Sequence, residues 1–124
     1  MLGPMESPEK FKHRFTFLTE EMGFDLREFH HRSDHMQNIL AVYEIIGCKI
    51  EIEREGNRVY TRLEFQSSGR RPLDWYLNEL HLPISVTTKF RDDYDYSGRD
   101  DGLDVESQAT FLRQHLPAIL QRWQ

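Results

Sequence analysis

The chain has 124 residues, with 16 Lys+Arg against 21 Asp+Glu for a formal charge of −5, and a hydrophobic fraction of 38%. That length suits one domain, and fifteen aromatic residues among the apolar ones exclude global disorder. No apolar run approaches the ~18–20 residues of a membrane span, and a pI near 5.6 without clustered Lys/Arg argues against nucleic-acid binding.

Residues 1–6 read as a flexible N-terminus without the charged start and apolar stretch of a secretory signal. Ser7-Pro8-Glu9 then forms an N-cap, first-turn and dipole-matched acid for a helix. Phe11, Phe15, Leu18 and Met22 fall on one stripe of that helix, and Gly23 stops it. Phe24 to His31 reads as a first strand, with a polar break at Arg32-Ser33-Asp34-His35. Leu40 to Ile46 is a second strand, and Gly47 marks a turn or bulge before Cys48.

The clearest local pattern is a hairpin around Gly56-Asn57. With these two residues as the loop, Glu55 faces Arg58, Glu53 faces Tyr60, Glu51 faces Arg62 and Lys49 faces Glu64. On the opposite face Ile52 meets Thr61, Ile50 meets Leu63 and Cys48 meets Phe65. A slip of one residue destroys both patterns. Gln66 to Arg71 reads as a polar loop before Pro72. Leu73, Tyr76, Leu77 and Leu80 have the spacing of a short helix ending before Pro83, and Ile84 to Phe90 reads as a strand or extended connection. Asp104 can cap a last helix whose stripe is Val105, Ala109, Leu112, Leu116, Ile119 and Trp123, with Pro117 kinking it or ending its regular part. The expected fold is a single α+β domain over 1–124. It has an antiparallel meander of three to five strands, with the N-terminal, short and C-terminal helices on one face.

The charge is concentrated in one place. From Arg91 to Glu106 seven acids stand against two arginines, whereas the other 108 residues carry fourteen bases and fourteen acids. Within the acidic loop of residues 91–104, Asp92, Asp93, Asp95, Asp100 and Asp101 interleave with Tyr94 and Tyr96. Tyrosine among acids suits a protein interface, and such a patch steers a basic partner by long-range attraction. The same stretch places Asp93, Asp95, Ser97, Gly98, Asp101 and Asp104 at positions 1, 3, 5, 6, 9 and 12 of a calcium loop. It departs from that pattern at position 12, an Asp in place of the longer bidentate Glu, and at position 8, where Asp100 replaces an apolar residue. A solvated loop rich in turn-forming Asp and Gly is the bland alternative.

His30, His31 and His35, with Asp34, form a second cluster of metal-ligand type, but adjacent strand residues point to opposite faces and the spacing matches no zinc pattern. Cys48, the only cysteine, excludes an internal disulfide, fits a reducing compartment and falls on the inner face of the hairpin. Ser67-Ser68-Gly69-Arg70-Arg71 has the donors to hold a phosphate without the glycine pattern of a nucleotide loop. Trp75 and Tyr76, with Phe111 and Trp123, read as core or groove-lining aromatics. No nucleophile–base pair or spaced carboxylate dyad argues for catalysis. The expected function is a cytoplasmic, non-enzymatic protein with no cofactor, no nucleic acid and no membrane, binding a protein partner with a basic surface. The alternatives are a calcium- or small-ligand-binding module through the 93–104 loop and an enzyme or metal protein using His30, His31 and His35.

Phe17-Leu18 through Gly23-Phe24, Val42-Tyr43-Glu44, the Lys49-to-Phe65 hairpin, Trp75-Tyr76-Leu77 and Phe111-Leu112 with His115-Leu116-Pro117 follow one another in a familiar order. In that order the chain resembles a widespread type of small bacterial α+β protein, many uncharacterised and some grouped as immunity proteins of polymorphic toxin systems. The resemblance implies a non-enzymatic protein that binds one protein partner, and it carries over no catalytic residues.

Overall fold

The computed structural model describes residues 7–32, 38–55, 58–82 and 101–124, with the backbone alone at 58, 101–104 and 107. Five strands form one antiparallel sheet in the order β1-β2-β3-β4-β5: β1 (Asp25–His31), β2 (Ile39–Ile45), β3 (Cys48–Glu55), β4 (Arg58–Phe65) and β5 (Gly69–Pro72). This is the expected antiparallel meander, with five strands among the described residues. The β3–β4 register pairs Lys49 with Glu64, Ile50 with Leu63, Glu51 with Arg62 and Glu55 with Arg58, as the alternation requires. Gly47, at φ 84, closes the β2–β3 hairpin, whose tip exposes Ile46. A left-handed φ at that position suits glycine and little else.

Two sequence expectations are corrected. Gln66 to Arg71 is only half a loop: Gly69–Pro72 pairs with β4 as an edge strand, with Phe65 opposite Gly69 and Arg62 opposite Pro72. All four of its residues are exposed, so it lacks the alternation that marks a half-buried strand. The expected single N-terminal helix is broken into α1 (Pro8–Arg14) and α2 (Thr16–Glu20) at Phe15, whose backbone is non-helical (φ −110, ψ 13). In one straight helix Phe17 would lie off the stripe of Phe11, Phe15 and Leu18. The break re-aims it, and all four side chains are buried. Ser7 caps α1 as expected, its Oγ accepting from the Lys10 N–H at 3.2 Å.

The third helix, α3 (Leu73–Glu79), ends at Leu80, followed by His81 at φ 55, a left-handed stop that histidine tolerates better than branched residues do. The fourth, α4 (Asp101–Trp123), starts three residues before the Asp104 cap that the sequence suggests and continues through Pro117 to Trp123. Pro117 is exposed, so the proline ring costs the helix no packing against the sheet.

The four helices among the described residues lie on one face. The ring of Phe11 in α1 lies under the Arg54 guanidinium of β3, Gln108 of α4 bonds Thr61 of β4, and Tyr76 of α3 bonds the Leu63 carbonyl. Ile39, Ala41, Tyr43, Ile50, Ile52, Val59, Leu63 and Phe65 meet Leu73, Leu77, Val105, Leu112, Leu116 and Ile119 in a single core. Burial of this kind supplies most of the driving force for folding, at roughly 25 cal/mol per Å² of apolar surface.

Candidate functional site

The sheet presents its second face without a described helix over it. Alternation places Asp25, Glu28 and His30 of β1, Leu40, Val42 and Glu44 of β2, Lys49, Glu51 and Glu53 of β3, and Tyr60, Arg62 and Glu64 of β4 on that face. Its charges are paired across strands: Arg62 to Glu53 at 2.9 Å and Glu51 at 3.6 Å, Arg70 to Glu51 at 2.7 Å, and Arg27 to Glu44 at 3.3 Å. Glu51 sits centrally in this lattice with a side chain only 15% exposed. Elsewhere Arg113 of α4 holds both carboxylate oxygens of Glu21, at 2.7 and 2.9 Å. The scaffold's balanced charge is therefore also locally compensated.

The acidic segment is where the balance fails. Asp101 and Asp104 stand in the first turn of α4, where a helix dipole favours acids. Asp92, Asp93, Tyr94, Asp95, Tyr96, Ser97 and Asp100 lie outside the described residues, as does the extended stretch expected at Ile84 to Phe90. The chain enters a helix at loop position 9 of the calcium pattern, so Asp101 and Asp104 stand where the exit helix of such a loop begins.

The other candidates are dispersed or already engaged. His30 and His31 occupy the end of β1 on opposite faces, as the strand's period demands, and both are exposed; His35 lies outside the described residues. His30 sits 3.2 Å from Glu28. Among the described residues no group of three His, Cys, Asp or Glu side chains converges as metal ligands would. Cys48 pairs with Ile45 at the opposite end of the sheet from His30 and is buried; burial pushes its thiol up to about 12, which withholds the thiolate a nucleophile needs.

The phosphate-like cluster is occupied by the fold itself. Arg70 is held by Glu51, and the Arg71 guanidinium lies 5.0 Å from the Trp75 ring centre with its Nε donating to the Ser68 carbonyl. The Ser68 hydroxyl and Tyr76 hydroxyl are 2.8 Å apart, and Tyr76 also reaches the Leu63 carbonyl at 3.0 Å. Burial raises the Tyr76 pKa, the Ser68 hydrogen bond opposing that shift. Trp75, Tyr76, Phe65 and Trp123 form one aromatic cluster, with Arg122 over the Trp123 ring at 4.7 Å. Phe111 belongs elsewhere, stacked on His115 at 6.1 Å.

Among the described residues four polar ones are buried, Arg54, Thr61, Gln108 and His115, of which only Thr61 is among the inward pairs read from the sequence. Arg54 continues the inward series Cys48, Ile50, Ile52 and is fully buried. Thr61 donates to Gln108 Oε1 at 2.6 Å, and Gln108 Nε2 donates to the Val59 carbonyl at 3.1 Å, pinning α4 to β4. His115 is 9% exposed, and burial lowers its pKa. An open groove of about 360 Å³ runs between α4 and the α1–α2 junction, lined by His13, Arg14, Phe17, Glu21, Thr110 and Arg113. Its arginine at 113 is committed to Glu21, and no helix among the described residues is long and apolar enough to cross a membrane.

No family model, curated protein or solved structure matches this chain.

Proposed function

We propose that the protein is a non-enzymatic, cytoplasmic binding module whose acidic segment covers a basic surface on a protein partner, in the manner of an immunity or antitoxin-like inhibitor. Asp92, Asp93, Asp95, Asp100 and Asp101 would line that contact, with Tyr94 and Tyr96 adding area. The observation that carries this reading is the contrast between a scaffold whose charges are paired across strands and a 16-residue stretch that holds the molecule's entire excess of −5. A field concentrated in one segment accelerates encounter with an oppositely charged cleft and can mimic the phosphates such a cleft binds. The burial of Cys48 supports the non-enzymatic part, because it removes the chain's only thiol from solvent.

The test is capture of a partner by the intact chain, followed by charge reversal at Asp92, Asp93, Asp95 and Asp100. The reading expects a partner with a basic contact surface, bound less tightly at high salt and lost on reversal while the fold is retained. A partner held equally well after reversal sinks it. The helix start at Asp101 favours calcium as the second reading, through Asp93, Asp95, Ser97, Asp101 and Asp104. Calorimetry with calcium and magnesium separates the two: heat at millimolar calcium or below supports it, and no heat with no thermal shift removes it.

A further inference from the structure

The two edges of the sheet are chemically unlike. β5 has four exposed residues, ends in Pro72, and has its arginines engaged by Glu51 and Trp75. β1 is seven residues long, and its residues 25–30 read Asp-Leu-Arg-Glu-Phe-His. Reversed and laid alongside itself, that segment is its own complement. Asp25 falls opposite His30, Leu26 opposite Phe29, and Arg27 opposite Glu28, and each pair occurs twice across a twofold axis.

In a regular strand this register fails, because opposed residues must project to one face and neighbours such as 27 and 28 alternate. The bulge in β1 removes the obstacle. The register against β2 shifts between Leu26, which faces Tyr43, and Glu28, which faces Val42. Arg27 reaches Glu44 at 3.3 Å and Asp25 at 3.6 Å, and Glu28 lies 3.2 Å from His30. Asp25, Arg27, Glu28 and His30 therefore share the outer face, while Leu26 and Phe29 share the inner one opposite Tyr43 and Ala41. The four polar side chains are between 51% and 73% exposed, and the two apolar ones are only half-buried. A bulge with flanking charges ordinarily blunts an edge against foreign strands; here the same features admit one particular strand.

We propose that β1 pairs antiparallel with β1 of a second copy of this chain, joining two five-stranded sheets through the Asp25–His30, Leu26–Phe29 and Arg27–Glu28 pairs. Association of this kind supplies main-chain hydrogen bonds for affinity and side-chain pairs for register. It also completes the cover over Leu26 and Phe29, which the single chain leaves half-open. Nothing in it depends on the acidic segment.

Sedimentation equilibrium of the full chain, with circular dichroism to confirm folding, tests the proposal. The unaltered chain should be dimeric at high-micromolar concentration. Arg27→Glu and Glu28→Arg each set like charges opposite one another twice, and each should weaken the dimer at least about tenfold. The double variant R27E/E28R restores opposite charges and should recover the dimer. Mixed Asp25→Cys and His30→Cys chains, altered only at exposed positions, should cross-link under mild oxidation. A monomer at high concentration overturns the proposal. So does a dimer indifferent to the single reversals, a double variant that stays folded but monomeric, or a failure of the mixed chains to cross-link.

Discussion

The β2–β3–β4 portion of the sheet and the acidic segment from Arg91 to Glu106 are built on opposite principles. In the sheet each inward residue has an apolar or hydrogen-bonded counterpart, and each outward charge has an opposite neighbour, as Glu51 has in Arg62 and Arg70. In the acidic segment seven acids face two bases, and no pairing within the segment can neutralise them. Charges that are paired across strands hold register and contribute little field beyond a Debye length, whereas an excess of one sign along a single stretch of chain extends its field further. On the proposed function, folding and recognition are carried by different residues, and substitutions in the two regions should have opposite consequences.

The largest stability effect should come from the core beneath the sheet. Ile50→Ala, at a fully buried position, should cost about 3 kcal/mol in urea unfolding while leaving binding by the folded fraction unchanged. Next comes the polar pin between α4 and β4. Gln108→Leu strands the Thr61 hydroxyl and the Val59 carbonyl and should cost about 2 kcal/mol, whereas adding Thr61→Val should cost less than the two singles combined in a double-mutant cycle.

A pH effect follows in size. Burial holds the His115 pKa below its ordinary 6.5, so above that pH the side chain is neutral in both states and contributes nothing. As pH falls through 6.5 the unfolded chain takes up a proton that the folded chain resists, and stability declines until the lowered folded pKa is passed. His115→Leu should flatten the decline in stability as pH falls through 6.5, as read by thermal melts. Smaller still, Glu51→Gln should cost about 1 kcal/mol or less, because the pairs it weakens are partly solvated.

How much of this was legible in the residues depends on whether two patterns coincided. The β3–β4 register could be read because charge pairing on one face and apolar pairing on the other both demanded it. β5 could not, because four exposed residues ending in proline carry neither pattern, and its pairing is imposed by the turn at Gly69. The break at Phe15 was hidden because Phe11, Phe15 and Leu18 satisfy a continuous helix. Only the burial of Phe17, off that stripe, betrays it. Arg54 and Gln108 stood in plain sight on inward positions, where binary patterning assigns apolar residues and so passes over a charged or amide exception. The candidate site was legible as a charge excess, whereas the self-complementary order of β1 gains meaning only from the bulge, which required the backbone.

The separation of scaffold from recognition is tested most directly by one comparison. Asp92, Asp93, Asp95 and Asp100 are changed together to Asn, leaving Asp101 at the start of α4, and the thermal midpoint and partner affinity are measured on the same preparation. The prediction is a midpoint moved by no more than about 2 °C, as surface substitutions usually give, with partner affinity reduced at least about tenfold. A large fall in the midpoint, or a partner bound as tightly as before, would contradict it.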